Sequence, residues 1–210
     1  TEPGTTTTTT QDTSSTTTTT DPGTPVDGPV PGSAWGVVGL RHEDTLNVRS
    51  APGIAASIVG TLEPTAVDVI ATGDAVMIRT TIWWEVETST GDGWVASSYL
   101  AAHGATDDVT AAVVAANDGV WLSAPTMELL AVEVAQLRGA DRIVVVVAAS
   151  DDGTHGDITI DAFMDSDDSI RGERLLVAGQ TVDSTPGFGL HIVESTWLCW
   201  RGADADGLCV

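Results

Sequence analysis

The sequence predicts a multidomain chain: a disordered Thr-rich segment over residues 1–33, a small all-β barrel over 35–102 and a small α+β domain over 105–210. Three observations carry this reading. Residues 1–33 hold almost nothing apolar to bury. Residues 35–100 carry turn signals every eight to twelve positions with β-branched runs between them, the spacing of a small barrel or sandwich. Beyond residue 105, apolar residues at helical spacing precede four strand-like runs.

The first segment reads "TTTTTTQDTSSTTTTTDPGTPVDGPVPG". Without apolar side chains it cannot offset its ordering entropy and is expected to stay disordered or extended. Thr/Ser-rich runs with Pro read as stalks or spacers. A chain that starts at Thr1 rather than Met is expected to have been processed or cut from something longer. A signal peptide or a lipid-attachment cysteine upstream would suit such a leader, and a secreted or surface-held protein is the expectation.

The chain has a formal net charge of −22, and its eight cations are all Arg. So acidic a surface repels phosphate backbones and anionic lipid, which argues against nucleic-acid or membrane-surface partners. Excess carboxylate fits a saline habitat as well as an ordinary acidic surface encoded by a GC-rich genome. No apolar run reaches the roughly 20 residues that span a bilayer.

In the barrel region the turns "RHED", "SAPG", "LEPT", "ATGD" and "STGDG" separate the runs "WGVVGL", "TLNVRS", "SIVGTL", "AVDVIA", "VMIRTT" and "IWWEVE". Period-two alternation sends Ile82, Trp84 and Val86 to one face and Trp83, Glu85 and Glu87 to the other. The two carboxylates mark the second face as the wet one, so Trp83 is expected on the solvent side, where a docked ligand would account for it. By the same rule Leu46 and Val48 point inward, while Asn47 and Arg49 point outward. Trp84 and Trp94 are expected in the core. For Arg49 the alternative to a ligand role is a surface pair with Asp44 or Glu85.

"LNVRSAPG", "IVGTL", "WWEV" and "GDGWVASSYL", in that order and spacing, resemble the bacterial Src-homology-3 (SH3b) family over about a third of the chain. The resemblance implies an SH3-like barrel and a non-catalytic module, most often on secreted or envelope proteins, several members of which bind cell-wall peptides. The family's groove aromatics map onto Trp83 and Tyr99. Flat rings over a shallow groove suit extended peptides or glycan backbones, with Asn47 and Arg49 fixing register. Ala96 stands where eukaryotic relatives often place a groove proline. The expected partner is peptidoglycan or a cell-wall peptide; the alternative is an envelope protein docked by a structural module without wall affinity.

In the remaining half, "SAPTMELLAVEVAQLRG" offers Ser123 as N-cap, Pro125 in the first turn, Met127, Leu130, Val134 and Leu137 at helical spacing and Gly139 as the stop. Leu130, Val132 and Val134 also fit a strand. "VTAAVVAA" upstream reads as a helix or a strand. The runs "RIVVVVAAS", "GDITIDAFM", "ERLLVAGQTV" and "FGLHIVESTWLCW" read as strands of a mostly antiparallel sheet.

No catalytic constellation emerges, so no enzymatic activity and no cofactor are expected, with an activity of residues 105–210 left open as an alternative. His191 lies upstream of Cys199, whereas cell-wall cysteine peptidases place the base well downstream. The four histidines lack metal spacing, and "DADG" at 204–207 begins like a calcium loop but lacks its third acid and closing Glu. Cys199 and Cys209 are expected to form a structural disulfide across the "ADADG" turn, the alternative being two thiols in a reducing compartment. Nothing in the pattern assigns Trp121, Trp197 or Trp200 to either surface or core.

Overall fold

The β-branched runs do form strands, and they join end to end across the whole molecule. The computed structural model describes residues 23–88, 91–165, 167–182 and 185–210. The strands are β1 (Thr24–Pro25), β2 (Ala34–Val37), β3 (Leu46–Arg49), β4 (Ile58–Leu62), β5 (Val69–Ile78), β6 (Thr81–Thr88), β7 (Gly91–Ala96), β8 (Leu100–Asp108), β9 (Ser123–Ala124), β10 (Arg142–Asp151), β11 (His155–Phe163), β12 (Ile170–Val182) and β13 (Thr185–Cys199). A 3₁₀ turn covers Ser97–Tyr99, α1 covers Thr110–Ala116 and α2 covers Met127–Leu137. The hydrogen-bonded path runs β10-β11-β12-β13-β8-β2-β5-β6-β7-β3-β4. The protein is therefore mostly β with two helices.

The two units expected over 35–102 and 105–210 share a strand. "LAAHGATDD" is β8: its start pairs with β2 (Val37↔Leu100, Gly36↔Ala101), and from Ala102 onward it pairs with β13 (Cys199↔Ala102, Leu198↔His103, Thr196↔Thr106). The boundary drawn at 103–104 falls inside this strand. A run rich in Ala and Gly reads as a linker, but small side chains are also what a strand needs when sheets crowd it from both sides.

The segment expected to be disordered over 1–33 is corrected in part. Residues 1–22 lie outside the described residues. Residues 23–33 run extended along β5: Thr24 and Pro25 pair with Met77 and Val76, Val26 donates to the Ala75 carbonyl, and Gly32 donates to the Ala71 carbonyl. Pro31 lies so close to Gly73 that a Cβ there would sit 2.6 Å from its ring, so glycine is what admits the contact. Backbone pairing with an existing strand supplies the ordering that apolar side chains do not.

Helix α2 buries Met127, Leu130, Ala131, Val134 and Ala135 against Ile158, Ile160, Leu175, Val177 and Val193 of the antiparallel β11-β12-β13 meander. Its N-cap is Thr126, whose hydroxyl accepts from the Leu129 N–H, rather than Ser123, which is paired in β9 with β13. Thr126 wins because Pro125 needs no donor partner, and the helix begins directly beyond it. Gly139, at φ 86°, ends the helix as expected. "VTAAVVAA" forms α1.

The meander is covered on both faces. Ile158, Ile160 and Ala162 of β11 face α2, and the intervening Asp161 and Phe163 face the barrel, both buried. On the helix side Glu173 is paired with Arg138 (2.6 Å) and accepts from the Ser195 hydroxyl. On the barrel side Arg174 donates from Nε and Nη2 to the two oxygens of Asp161 (2.7 and 3.0 Å) and from Nη2 to the Val37 and Pro64 carbonyls (2.8 and 3.3 Å). Asp161 also accepts from the Gly39 N–H at 2.8 Å. A small apolar cluster of Val38, Ala101, Phe163 and Leu198 fills the junction.

Cys199 and Cys209 form the expected disulfide, with Cα atoms 5.1 Å apart. Cys199 is fully buried and belongs to the barrel's own cluster with Trp35, Val37, Leu100 and Ala102, and Trp197, Ala203 and Cys209 pack against it. The C-terminal loop is also held by the Ala105 N–H donating to the Gly207 carbonyl, at 2.8 Å. "DADG" is a turn in which Asp204 accepts from the Asp206 and Leu208 N–H groups. Cutting the disulfide with Cys209→Ser is expected to lower unfolding free energy by roughly 2–3 kcal/mol, as closure of a short loop predicts; urea titration measures it.

His103 in β8 lies over β2 so closely that a Cβ on Gly36 would sit 2.2 Å from its Nε2, and that nitrogen is buried without a partner. Burial first, then the Arg174 charge, hold the imidazole below its ordinary value of 6.5, against smaller opposing pulls from Asp161 and Asp68. The unfolded chain therefore takes up a proton that the folded chain resists, so stability falls as pH drops below about 6.5. The urea midpoint of the wild type should decline more steeply between pH 7 and pH 5 than that of His103→Leu. Parallel profiles would exclude this role.

Candidate functional site

A cleft of about 400 Å³ opens on the barrel where β3, β6 and the 3₁₀ turn converge, and all four residues expected to bind a ligand line it: Asn47, Arg49, Trp83 and Tyr99. Leu40, Ile54 and Ala96 add apolar wall, and Thr45, Thr81 and Ser98 neutral polar groups.

Each side chain is placed by strand alternation. In β3, Leu46 and Val48 are buried in the core and Asn47 and Arg49 turn to the cleft. Arg49 forms no ion pair with Asp44 or Glu85; its Nη1 donates to the Ala56 carbonyl at 2.8 Å and so fixes the loop that carries Ile54. Glu85 instead accepts from the Thr72 hydroxyl at 3.0 Å. The Asn47 amide has no side-chain hydrogen bond among the described residues.

In β6 the expected faces need correction in depth. Val86 is buried, and Trp84 turns inward, half-buried, with its ring edge-on to Trp35 at 4.6 Å between centroids. Ile82, expected in the core, is 38% exposed because it pairs with Met77 at the end of the β5-β6 hairpin, beyond the barrel wall. Trp83, expected on the wet side, is only 5% exposed. It is on the expected face but lies between Val76 and Ala96 in the sheet, at the bottom of the cleft. Tyr99, 38% exposed, stands at the rim. Trp94, expected in the core, is half-buried and lies opposite Glu85 and Arg49, on their face of the sheet rather than in the core.

The far half of the molecule shapes this cleft, which no local sequence signal indicates. Arg171 of β12, almost fully buried, donates to the Leu100 carbonyl at 2.9 Å and to the Ser98 carbonyl, gripping the backbone on both sides of Tyr99. Its guanidinium lies 4.6 Å from the Trp200 ring centre and 5.2 Å from that of Phe163. Burial, then the Arg142 charge, push Arg171 down to about 10, which leaves it charged at neutral pH. The opposite wall follows the same logic, because Leu40 adjoins Gly39, whose N–H is held by Asp161.

Residues 44–101 match the family model of the bacterial SH3 domain. No curated protein and no solved structure matches the chain. The SH3 segment covers β3 to β7, the Tyr99 turn and the start of β8, and so contains all four cleft residues named from the sequence. It stops where β8 leaves the barrel for β13. Strands β1 and β2 and the Arg171 clasp lie outside it.

Among the described residues, no group of three or more His, Cys, Asp or Glu is placed to hold a metal ion. Cys199 is oxidised in the disulfide and offers no thiolate. No described helix is long and apolar enough to cross a membrane.

Removing the clasp tests whether the far half positions the SH3 segment's rim. Arg171→Gln is expected to speed amide exchange of residues 97–101 at least about tenfold, since hydrogen bonds to charged groups contribute roughly 1.5–3 kcal/mol. Exchange in β10 and β11 should change little.

Proposed function

We propose that this chain is a non-catalytic binding protein of the bacterial cell envelope, secreted or held at the surface, whose barrel cleft takes cell-wall peptide. The observation that carries the reading is the convergence of Trp83, Tyr99, Asn47 and Arg49 in one cleft of a bacterial SH3 segment. The chemistry of the lining fits. On a chain of net charge −22 the cleft is walled by apolar and neutral polar groups, with Arg49 as its single charge and no carboxylate. An extended peptide can lay apolar side chains on the Trp83 floor and Tyr99, pair its amides with Asn47 and set a carboxylate near Arg49. The disulfide suits an oxidising compartment. The Thr-rich residues 1–22 would serve as a spacer between anchor and barrel.

A second reading, a structural module that docks on another envelope protein, is favoured by the continuous pairing of the two sheets through β8, which makes one stiff body.

The test is retention on purified peptidoglycan. Trp83→Ala is a poor probe, because truncating a buried aromatic costs about 3–5 kcal/mol in packing alone. Tyr99→Ala and Asn47→Ala leave the core intact, and each is expected to reduce retention roughly tenfold, the effect of losing about 1.4 kcal/mol of contact. Unchanged retention in both variants would refute the site, and a wild type that is not retained would refute the function. Co-purification with one stoichiometric envelope protein, without wall retention, would establish the second reading.

A further inference from the structure

A second cleft, of about 720 Å³, opens on the opposite half of the molecule between α1 and β13. Its volume lies in the roughly 300–1,000 Å³ range of small-molecule sites. Ala111, Ala115 and Gly119 leave room along the helix side, Trp121 forms a wall, and Asp108 and His191 contribute the polar groups.

Trp121 is 59% exposed and its neighbour Val120 is 61% exposed. The loop that presents them is built rather than loose. Gly119 N–H donates to the Val114 carbonyl (2.9 Å), Val120 N–H to the Asn117 carbonyl (2.8 Å), and the Asn117 amide back to the Val120 carbonyl (2.8 Å). Asp118 adopts a left-handed φ of 53°, which aspartate tolerates better than most residues. On the far side Leu122 is buried, and its carbonyl accepts from the Leu190 N–H at 2.9 Å. The indole is thus held out by a turn pinned at both ends, next to a concavity it could otherwise have filled.

The lining narrows the ligand. It contains no Arg, it includes Asp108, and Glu194 stands beside Asp108 in the sheet, so anionic ligands are repelled. Hydrogen bonds from Thr110 hold the Asp108 carboxyl below the usual carboxylate range, so it is an acceptor at neutral pH. A single indole does not form the cage of several rings that encloses a cationic head. What remains is a neutral ligand with an apolar face and a polar edge. A pyranose with equatorial hydroxyls has that form: its axial C–H bonds lie on the negative face of the indole, and its hydroxyls reach a carboxylate and an imidazole at the rim.

We propose that the α1–β13 cleft is a saccharide-binding site, with Trp121 as stacking platform and Asp108 and His191 as hydroxyl partners. This does not rest on the barrel reading. A protein that also held peptide in the barrel would contact a glycopeptide polymer at two places, and weak sites joined on one body bind such a polymer far more tightly than either alone.

The experiment uses the full chain and two β1→4-linked probes, the tetramers of N-acetylglucosamine and of glucose, followed by NMR of amide and indole N–H signals. Binding of either should shift the Trp121 indole, Gly119 and His191 and leave Tyr99 unmoved. Trp121→Ala should weaken binding at least tenfold without changing the thermal midpoint, because the ring is exposed. Tyr99→Ala should bind the sugars as wild type does. The proposal is overturned if neither tetramer shifts these signals at millimolar concentration, if the shifts map to the barrel cleft, or if a lysine-rich peptide saturates the Trp121 signals while the sugars do not. Free tetramers carry no peptide, so peptidoglycan retention that depends on Tyr99 would survive failure here, and sugar binding at Trp121 would survive failure there.

Discussion

The buried Arg174–Asp161 pair is the interaction on which the arrangement of this molecule depends. Two charges removed from water cost several kcal/mol unless every donor and acceptor finds a partner. Within the meander they cannot: Asp161 and Arg174 face each other across β11 and β12, and the bidentate contact leaves a carboxylate lone pair and guanidinium protons over. The barrel supplies further partners, through the Gly39 N–H and the Val37 and Pro64 carbonyls. Parting the halves would break these charge-assisted hydrogen bonds together, so the junction is specific in register as well as adhesive.

That constraint explains why a barrel cleft is shaped by residues more than seventy positions away. The strands β11 and β12 that carry Asp161 and Arg174 also carry Phe163 and Arg171. Once the first pair is seated, Arg171 lies against the carbonyls of Ser98 and Leu100. The Tyr99 rim is then a product of the whole chain, and residues 44–101 alone would lack both this clasp and the Gly39 anchor. The disulfide acts in the same direction, since it keeps Cys199 and the terminal loop packed on the barrel cluster rather than on a core of their own.

What was legible in the sequence follows the range of each interaction. Strand alternation in "LNVR", the helix over "MELLAVEVAQL" and its Gly139 stop are local, and each could be read directly. So could the closeness of Cys199 and Cys209, where ten residues around an Asp/Gly turn leave few other geometries. Period two gave the face of Trp83 but not its depth, because depth is set by walls from other strands and the Tyr99 turn. The roles of Arg171 and Arg174 were not legible at all, since nothing near them in the chain marks their partners as backbone carbonyls of the barrel. Nor was β8, whose small residues resemble a linker until β2 and β13 lie on either side. Trp121 was unreadable for the same reason: its exposure depends on how Leu122 and β13 orient the loop.

The absence of lysine bears on this design. In a chain with thirty acids and eight cations, an ammonium would be absorbed by surface carboxylates, where an ion pair contributes little. The structure places Arg138, Arg142, Arg171 and Arg174 instead at the meander's buried pair, the Phe163 ring and the barrel carbonyls. Each of the two barrel-facing clasps asks for several donors in one plane: Arg174 serves two carboxylate oxygens and two carbonyls, and Arg171 serves two carbonyls while lying over aromatic rings. A guanidinium meets that demand because its five N–H groups are fixed in a fork and its flat faces are weakly hydrated, whereas an ammonium presents three donors from one point and keeps its water tightly. Three of the eight arginines, Arg138, Arg171 and Arg174, thereby serve as internal fastenings. Arg41, Arg79 and Arg201 lie exposed, the first and last paired with Glu43 and Asp168, whereas Arg49 faces the barrel cleft, where a ligand's negative group meets a favourable contact.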